Sequence, residues 1–264
     1  MDGKNQLLHK ENVAKYTKKD IVVVLCVFLF VLVAYFIVPT FDVGFDIPQD
    51  GRPIVAKGIW IVAFAVIFTV ILRKDKSLAS IGIHSKNLFR SLRLGFAFAF
   101  IPVGSMLVLG IVNGWEFNTP QNMLFALLPV AFFAASEDIL FVGFFQTRLS
   151  GFFINKNVAI FIGGALFVIL HYPTRIIGGY FFDVSTIFQT FGWFFMHLTF
   201  YSLFKRYSSV FATIVVHTLL NWSTRIWIIP AESEWVIPIW MAVSVAMLFS
   251  VKYLWEWRLN KSKA

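Results

Sequence analysis

The chain lacks most of what a soluble or secreted protein relies on. Cysteine occurs once, as Cys26 inside an apolar run, so there is no disulfide framework. Charged residues fill only 14% of the 264 positions, against roughly 25% in an ordinary soluble domain. No glycine-rich phosphate loop occurs, and no basic–aromatic stretch lies outside the apolar runs, so nothing points to nucleotide or nucleic-acid binding. No internal repeat and no soluble domain stand out. The first apolar run, 21–38, is longer than a signal h-region and ends in Pro39 with no small-x-small cleavage site after it. It reads as a retained span.

What is present is apolar. Hydrophobic residues make up 58% of the chain, and 32 positions are phenylalanine. A protein of this length cannot hide that much apolar surface from water, so it reads as one all-α integral membrane domain over 1–264. Apolar runs fall at 21–38, 54–72, 94–113, 122–147, 157–171, 184–204, 208–226 and 235–251. Each approaches the ~20 residues that cross a bilayer, which predicts about eight transmembrane helices. Pro129 predicts a kink in the fourth. The fifth is expected to end at His171-Tyr172-Pro173, with a semi-polar connector over 173–183.

Basic residues orient the spans. With eight spans, the N-terminal side carries 19 of the 23 Lys and Arg, including those of 1–20 and the connector 73–93, and the other side carries 4. The asymmetry places both termini in the cytoplasm of a multi-pass plasma-membrane protein. The net charge of +9 then reflects cytoplasmic loops facing membrane lipids.

Against this apolar background, the stretch FFAASEDILFVGFFQTRL (132–149) carries Glu137 and Asp138 in mid-span. A carboxylate in hydrocarbon costs several kcal/mol, so partners are expected. The candidates are His171, at the end of span 5, and His217 with Asn221, one turn apart on span 7. Span 5 is about 22 Å long at 1.5 Å per residue, so an end at His171 would fall below the outer surface, near the depth of Glu137. His197 has no motif around it and reads equally well as a packing group. A carboxylate beside a histidine can take a proton from water and pass it to a leaving amine. A second histidine and an amide can bind a developing oxyanion. The acids taken alone would also suit the proton site of a proton-coupled transporter, although transporters tend to carry internal repeats.

At these residues the sequence resembles the CPBP family of intramembrane proteases. That family comprises type II CAAX prenyl proteases and bacteriocin-processing or self-immunity (Abi) proteins. The family pattern of E-E-x-x-x-R, F-x-x-x-H and H-x-x-x-N/D is met by Glu137-Asp138, Phe167 to His171, and His217 to Asn221. Phe141, Gly143 and Gln146 also match frequent family residues. The resemblance covers 122–225, a core of spans 4–7. Two positions depart from it: Asp138 replaces the second glutamate, and Val142 replaces the arginine. Arg148 lies six residues beyond Val142 and cannot occupy the same spot on the helix.

The resemblance implies an endopeptidase acting on a hydrophobic or lipid-modified peptide. Glu137 with His171 would activate water, His217 and Asn221 would stabilise the oxyanion, and Asp138 would support the site. No cofactor is favoured; if zinc were used, its ligands would be Glu137, His171 and His217. The missing arginine motivates the alternative of a non-catalytic membrane immunity or scaffold protein.

Overall fold

The computed structural model describes residues 16–44, 52–177, 179, 181–230, 233 and 235–261. The polar tail before Tyr16, the loop acids Asp46 and Asp50, and Lys263 lie outside them. The described residues are almost entirely helical. The order is α1 (Lys18–Gly44), α2 (Arg52–Lys74), a 3-10 turn (Leu78–Ile81), α3 (Leu88–Val112), β1 (Glu116–Phe117) and α4 (Pro120–Asp138). A π-helical segment (Ile139–Phe145) and α5 (Gln146–Phe152) continue α4. There follow α6 (Lys156–Ile177), α7 (Val184–Tyr207), α8 (Phe211–Ser223), a 3-10 turn (Thr224–Ile226), β2 (Trp227–Ile228) and α9 (Val236–Lys261). Among the described residues four helical stretches are long and apolar enough to cross a membrane: Leu88–Val112, Pro120–Phe152, Lys156–Ile177 and Val236–Leu254. The chain is therefore an all-α membrane protein.

The short helix α8 is the hub. It packs on α3, α4 and α7, while α6 packs on α1 and α7, and α9 packs on α7 and α3. At its start the Ala212 amide donates to Ser91 Oγ of α3 at 3.0 Å, a polar bond inside an apolar seam. At the other end Trp222 Nε1 donates to the Met123 carbonyl of α4 at 2.7 Å. The two-residue strands pair Glu116 with Ile228 and Phe117 with Trp227, antiparallel. Together these contacts fix α8 against α4. The sequence sets the start of α4 locally: Thr119 caps it by accepting from the Asn122 amide at 3.2 Å, and Pro120 takes the first turn.

Two segments differ from the sequence reading. The fifth span does not stop at His171; α6 runs on through Pro173 to Ile177, so His171 is an interior helical residue. A proline removes one backbone donor and crowds the preceding turn. Here it falls in the last turns of α6, where Tyr172 OH meets Thr190 Oγ1 of α7 at 2.7 Å and secures the extension. The first part of the expected connector is thus helix. The second difference is the π-helical segment, which interrupts the regular α turn directly after Asp138.

Charged residues gather where α1, α2 and α5 meet. Arg148 Nη2 reaches Asp75 Oδ2 at 2.5 Å, and both side chains are buried. The Arg148 guanidinium lies over Phe144 at 4.0 Å and over Tyr16 at 5.0 Å. Asp75 also accepts from Ser80 Oγ at 2.9 Å. Beside them Lys74 pairs with Asp20, which in turn accepts from the Thr17 amide and hydroxyl. This clasp ties the end of the α4–α5 rod to the two preceding helices.

Candidate active site

Glu137 sits in the last turn of α4, His171 inside α6, and His217 midway along α8. Three separate helices bring them together. Glu137 Oε2 lies 3.8 Å from His217 Nε2 and 4.0 Å from His171 Nε2. Asp138, next on α4, faces His217 from the other side, with Oδ1 3.1 Å from Nδ1. Exposure is graded across the set: the side chains of Glu137 and His171 are 15% and 20% exposed, those of His217 and Asp138 only 2% and 1%. The first pair therefore faces the accessible side, and the second pair is sealed behind it. Asn221 follows His217 by one turn of α8 and is half-buried. Among the described residues no hydrogen bond links its amide to the other four.

Both imidazoles are oriented through Nδ1. His171 Nδ1 donates to the Phe167 carbonyl at 2.8 Å, an acceptor with no proton to offer. His217 Nδ1 donates to the Asp138 carboxylate. Each ring thus turns Nε2 toward the same oxygen of Glu137. The separations exceed the 2.6–3.2 Å of a direct bond, but one small bridging group fits between them. With both rings neutral, two Nε2 atoms and a carboxylate oxygen are all acceptors, so a group bridging them has to be a proton donor.

Zinc was the alternative occupant. Bonds of about 2.1 Å at tetrahedral angles place neighbouring ligand atoms roughly 3.4 Å apart. The 3.8 and 4.0 Å observed are wider, and no metal-spaced group of His, Cys, Asp or Glu occurs among the described residues. The donor types suit zinc.

Several contributors were not legible beforehand. Trp193 of α7 stacks on His171, with centroids 4.5 Å apart and planes at 24°. Phe167 closes on the same ring edge-on at 4.8 Å, and Phe200 covers His217 at 5.2 Å. These aromatics restrict how either imidazole can turn. Trp193 precedes His197 by one turn on a buried stripe of α7, a weak signal in a chain with nine tryptophans. His197 is a bonded core group: its Nε2 donates to Gln146 Oε1 at 2.9 Å. Val142, at the motif's arginine position, is buried in the apolar core. Arg148 serves the Asp75 clasp instead.

Compared with known families, residues 119–223 match the family described as type II CAAX prenyl endopeptidase, Rce1-like. The match bears out the CPBP resemblance read from the three motifs. It spans less than half of the chain. No curated protein matches.

Proposed function

We propose, from the premise that residues 119–223 form an Rce1-like domain, that this protein is an intramembrane endopeptidase. Its substrate is a hydrophobic or lipid-modified peptide reached from the membrane. One observation carries the reading: a single Glu137 oxygen stands about a water's width from the Nε2 atoms of two histidines whose Nδ1 atoms are already engaged.

In this mechanism Glu137 takes a proton from a water held between it and His171, and the water oxygen attacks the scissile carbonyl. The carbonyl oxygen becomes an oxyanion, stabilised by donors from His217 and Asn221. For His217 to donate through Nε2 it must carry protons on both ring nitrogens, and the Asp138 carboxylate offsets that charge. Collapse of the tetrahedral intermediate breaks the C–N bond, and the proton held by Glu137 passes to the leaving amine. No metal enters these steps. The same reading extends to about eight spans, cytoplasmic termini, residence in the plasma membrane, and a catalytic core over 122–225 within one membrane domain.

The test is cleavage of a fluorogenic farnesylated CAAX peptide by purified protein in liposomes, with products weighed by mass spectrometry. Glu137→Ala and His171→Ala should each lose about 10²–10⁴-fold in rate while still inserting, and a zinc chelator should leave the wild-type rate unchanged. Full activity in either variant overturns the assignment. Burial of Val142 where the family carries arginine favours a second reading, a non-catalytic partner; it predicts no cleavage by wild type and an undiminished cellular phenotype in the same variants.

A further inference from the structure

The helix bearing Glu137 and Asp138 changes its winding immediately after them. Gln146 lies nine positions after Glu137. At about 100° per residue, a continuous α-helix would point these two side chains roughly 180° apart. An i→i+5 turn takes in one more residue than an α turn, which absorbs about 100° of phase and brings Gln146 to within about 80° of Glu137. The π-helical segment Ile139–Phe145 therefore lets both ends of one rod face the same inner group of helices.

Each end is gripped by a polar contact. At the start Asp138 accepts from His217 Nδ1 at 3.1 Å. At the finish Gln146 Oε1 accepts from His197 Nε2 at 2.9 Å, and Gln146 Nε2 donates to Ser150 Oγ at 3.0 Å. Ser150 in turn meets Tyr201 OH at 2.9 Å. Gln146, Ser150, His197 and Tyr201 are all buried. A third helix is shaped around this junction: a Cβ at Gly163 would lie 1.9 Å from Gln146 Oε1 and 2.7 Å from His197 Nε2. Gly163 stands one turn before Phe167 on α6, and Phe167 packs against His197 at 5.8 Å and supplies the carbonyl that orients His171.

We infer that Gln146 and His197 are positioning residues for the site: their buried bond, seated on Gly163, holds the wide turn open and so sets the rotation at which Glu137 and Asp138 meet the two histidines. Released from it, the segment 139–145 relaxes to the commoner α winding, and the acids rotate relative to α6 and α8. The catalytic part of this inference rests on the proposed peptidase reading; the geometric part does not.

The decisive variant is Gln146→Leu/His197→Leu, which removes both partners and strands neither in the apolar interior. It should insert and melt near wild type, yet lose about 10²-fold in kcat with little change in KM, as expected for a misplaced catalytic group. A structure of the double variant should show regular α winding over 139–145, with Glu137 turned away from His217. The conservative His197→Gln, which keeps an N–H donor, should retain the wide turn and most of the rate. A double variant that keeps the wide turn and the Glu137–His217 approach overturns the inference, as does loss of the turn in His197→Gln. Should wild type cleave nothing while the double variant still loses the turn, the peptidase reading fails and the positioning role stands.

Discussion

Among the described residues, two clusters set acids against basic side chains, and they are built on opposite principles. In the clasp at α1, α2 and α5, charges meet at contact distance. Arg148 bonds Asp75 at 2.5 Å, with Ser80 and two aromatic rings completing the surroundings, and Asp20 is matched by Lys74 and Thr17. In the site at α4, α6 and α8, the two Nδ1 atoms are matched by the Phe167 carbonyl and the Asp138 carboxylate. The central carboxylate is left 3.8 and 4.0 Å from its neighbours. A satisfied cluster resists rearrangement and holds helices. An incomplete one keeps room for a reactant, and its incompleteness is preserved by tight contacts one atom further out, at Phe167 and Asp138.

Removing a member from each cluster separates the two kinds. Glu137→Gln should abolish peptide cleavage, by about 10²–10⁴-fold, and leave the melting temperature in detergent unchanged or higher; a large loss of stability would erase the distinction. Arg148→Leu should do the reverse. It strands a buried Asp75 and costs about 3–5 kcal/mol of stability, read by denaturant titration, while the specific activity of the folded fraction stays within a few-fold. The double change Arg148→Leu/Asp75→Leu should recover most of that loss, because the uncompensated charge is gone.

Tyr16→Leu should cost about 1 kcal/mol, since its ring takes part in cation–π contacts with both Arg148 and Lys74. The smallest effect concerns pH. Burial acts to raise the Asp20 carboxyl, but the bonds from Lys74 and Thr17 prevail and hold it below its ordinary 3.8. A carboxyl lowered on folding adds stability that is complete above its unfolded value and is lost as pH falls through the folded one. The melting difference between wild type and Asp20→Asn should therefore persist from neutral pH down to about 4 and shrink below it.

The clasp and the site differed in how far the sequence revealed them. Apolar runs of spanning length made the helical membrane architecture readable, and three short motifs in order pointed to Glu137, His171 and His217. Their convergence was inferable because buried acids need partners. The clasp was hidden, because Asp75 and Arg148 are 73 positions apart and each sits in a run that reads as a solvated helix end. The end of α6 was misread for a related reason: Pro173 is a local stop signal, and Tyr172–Thr190 is a tertiary contact that outweighs it. The wide turn had no local signature, since Ile139–Phe145 is as apolar as any α-helical span. What selects it are bonds to His197 and His217 on other helices.

The indole of Trp193, lying nearly parallel to His171, has an optical consequence. An imidazolium quenches tryptophan emission where a neutral imidazole does so weakly, so each gain or loss of a proton at His171 changes the brightness of one ring. Subtracting the spectrum of Trp193→Phe from that of the wild type isolates this ring from the other eight tryptophans. The protein thus carries its own fluorescent gauge of protonation beside Glu137, readable without any attached label.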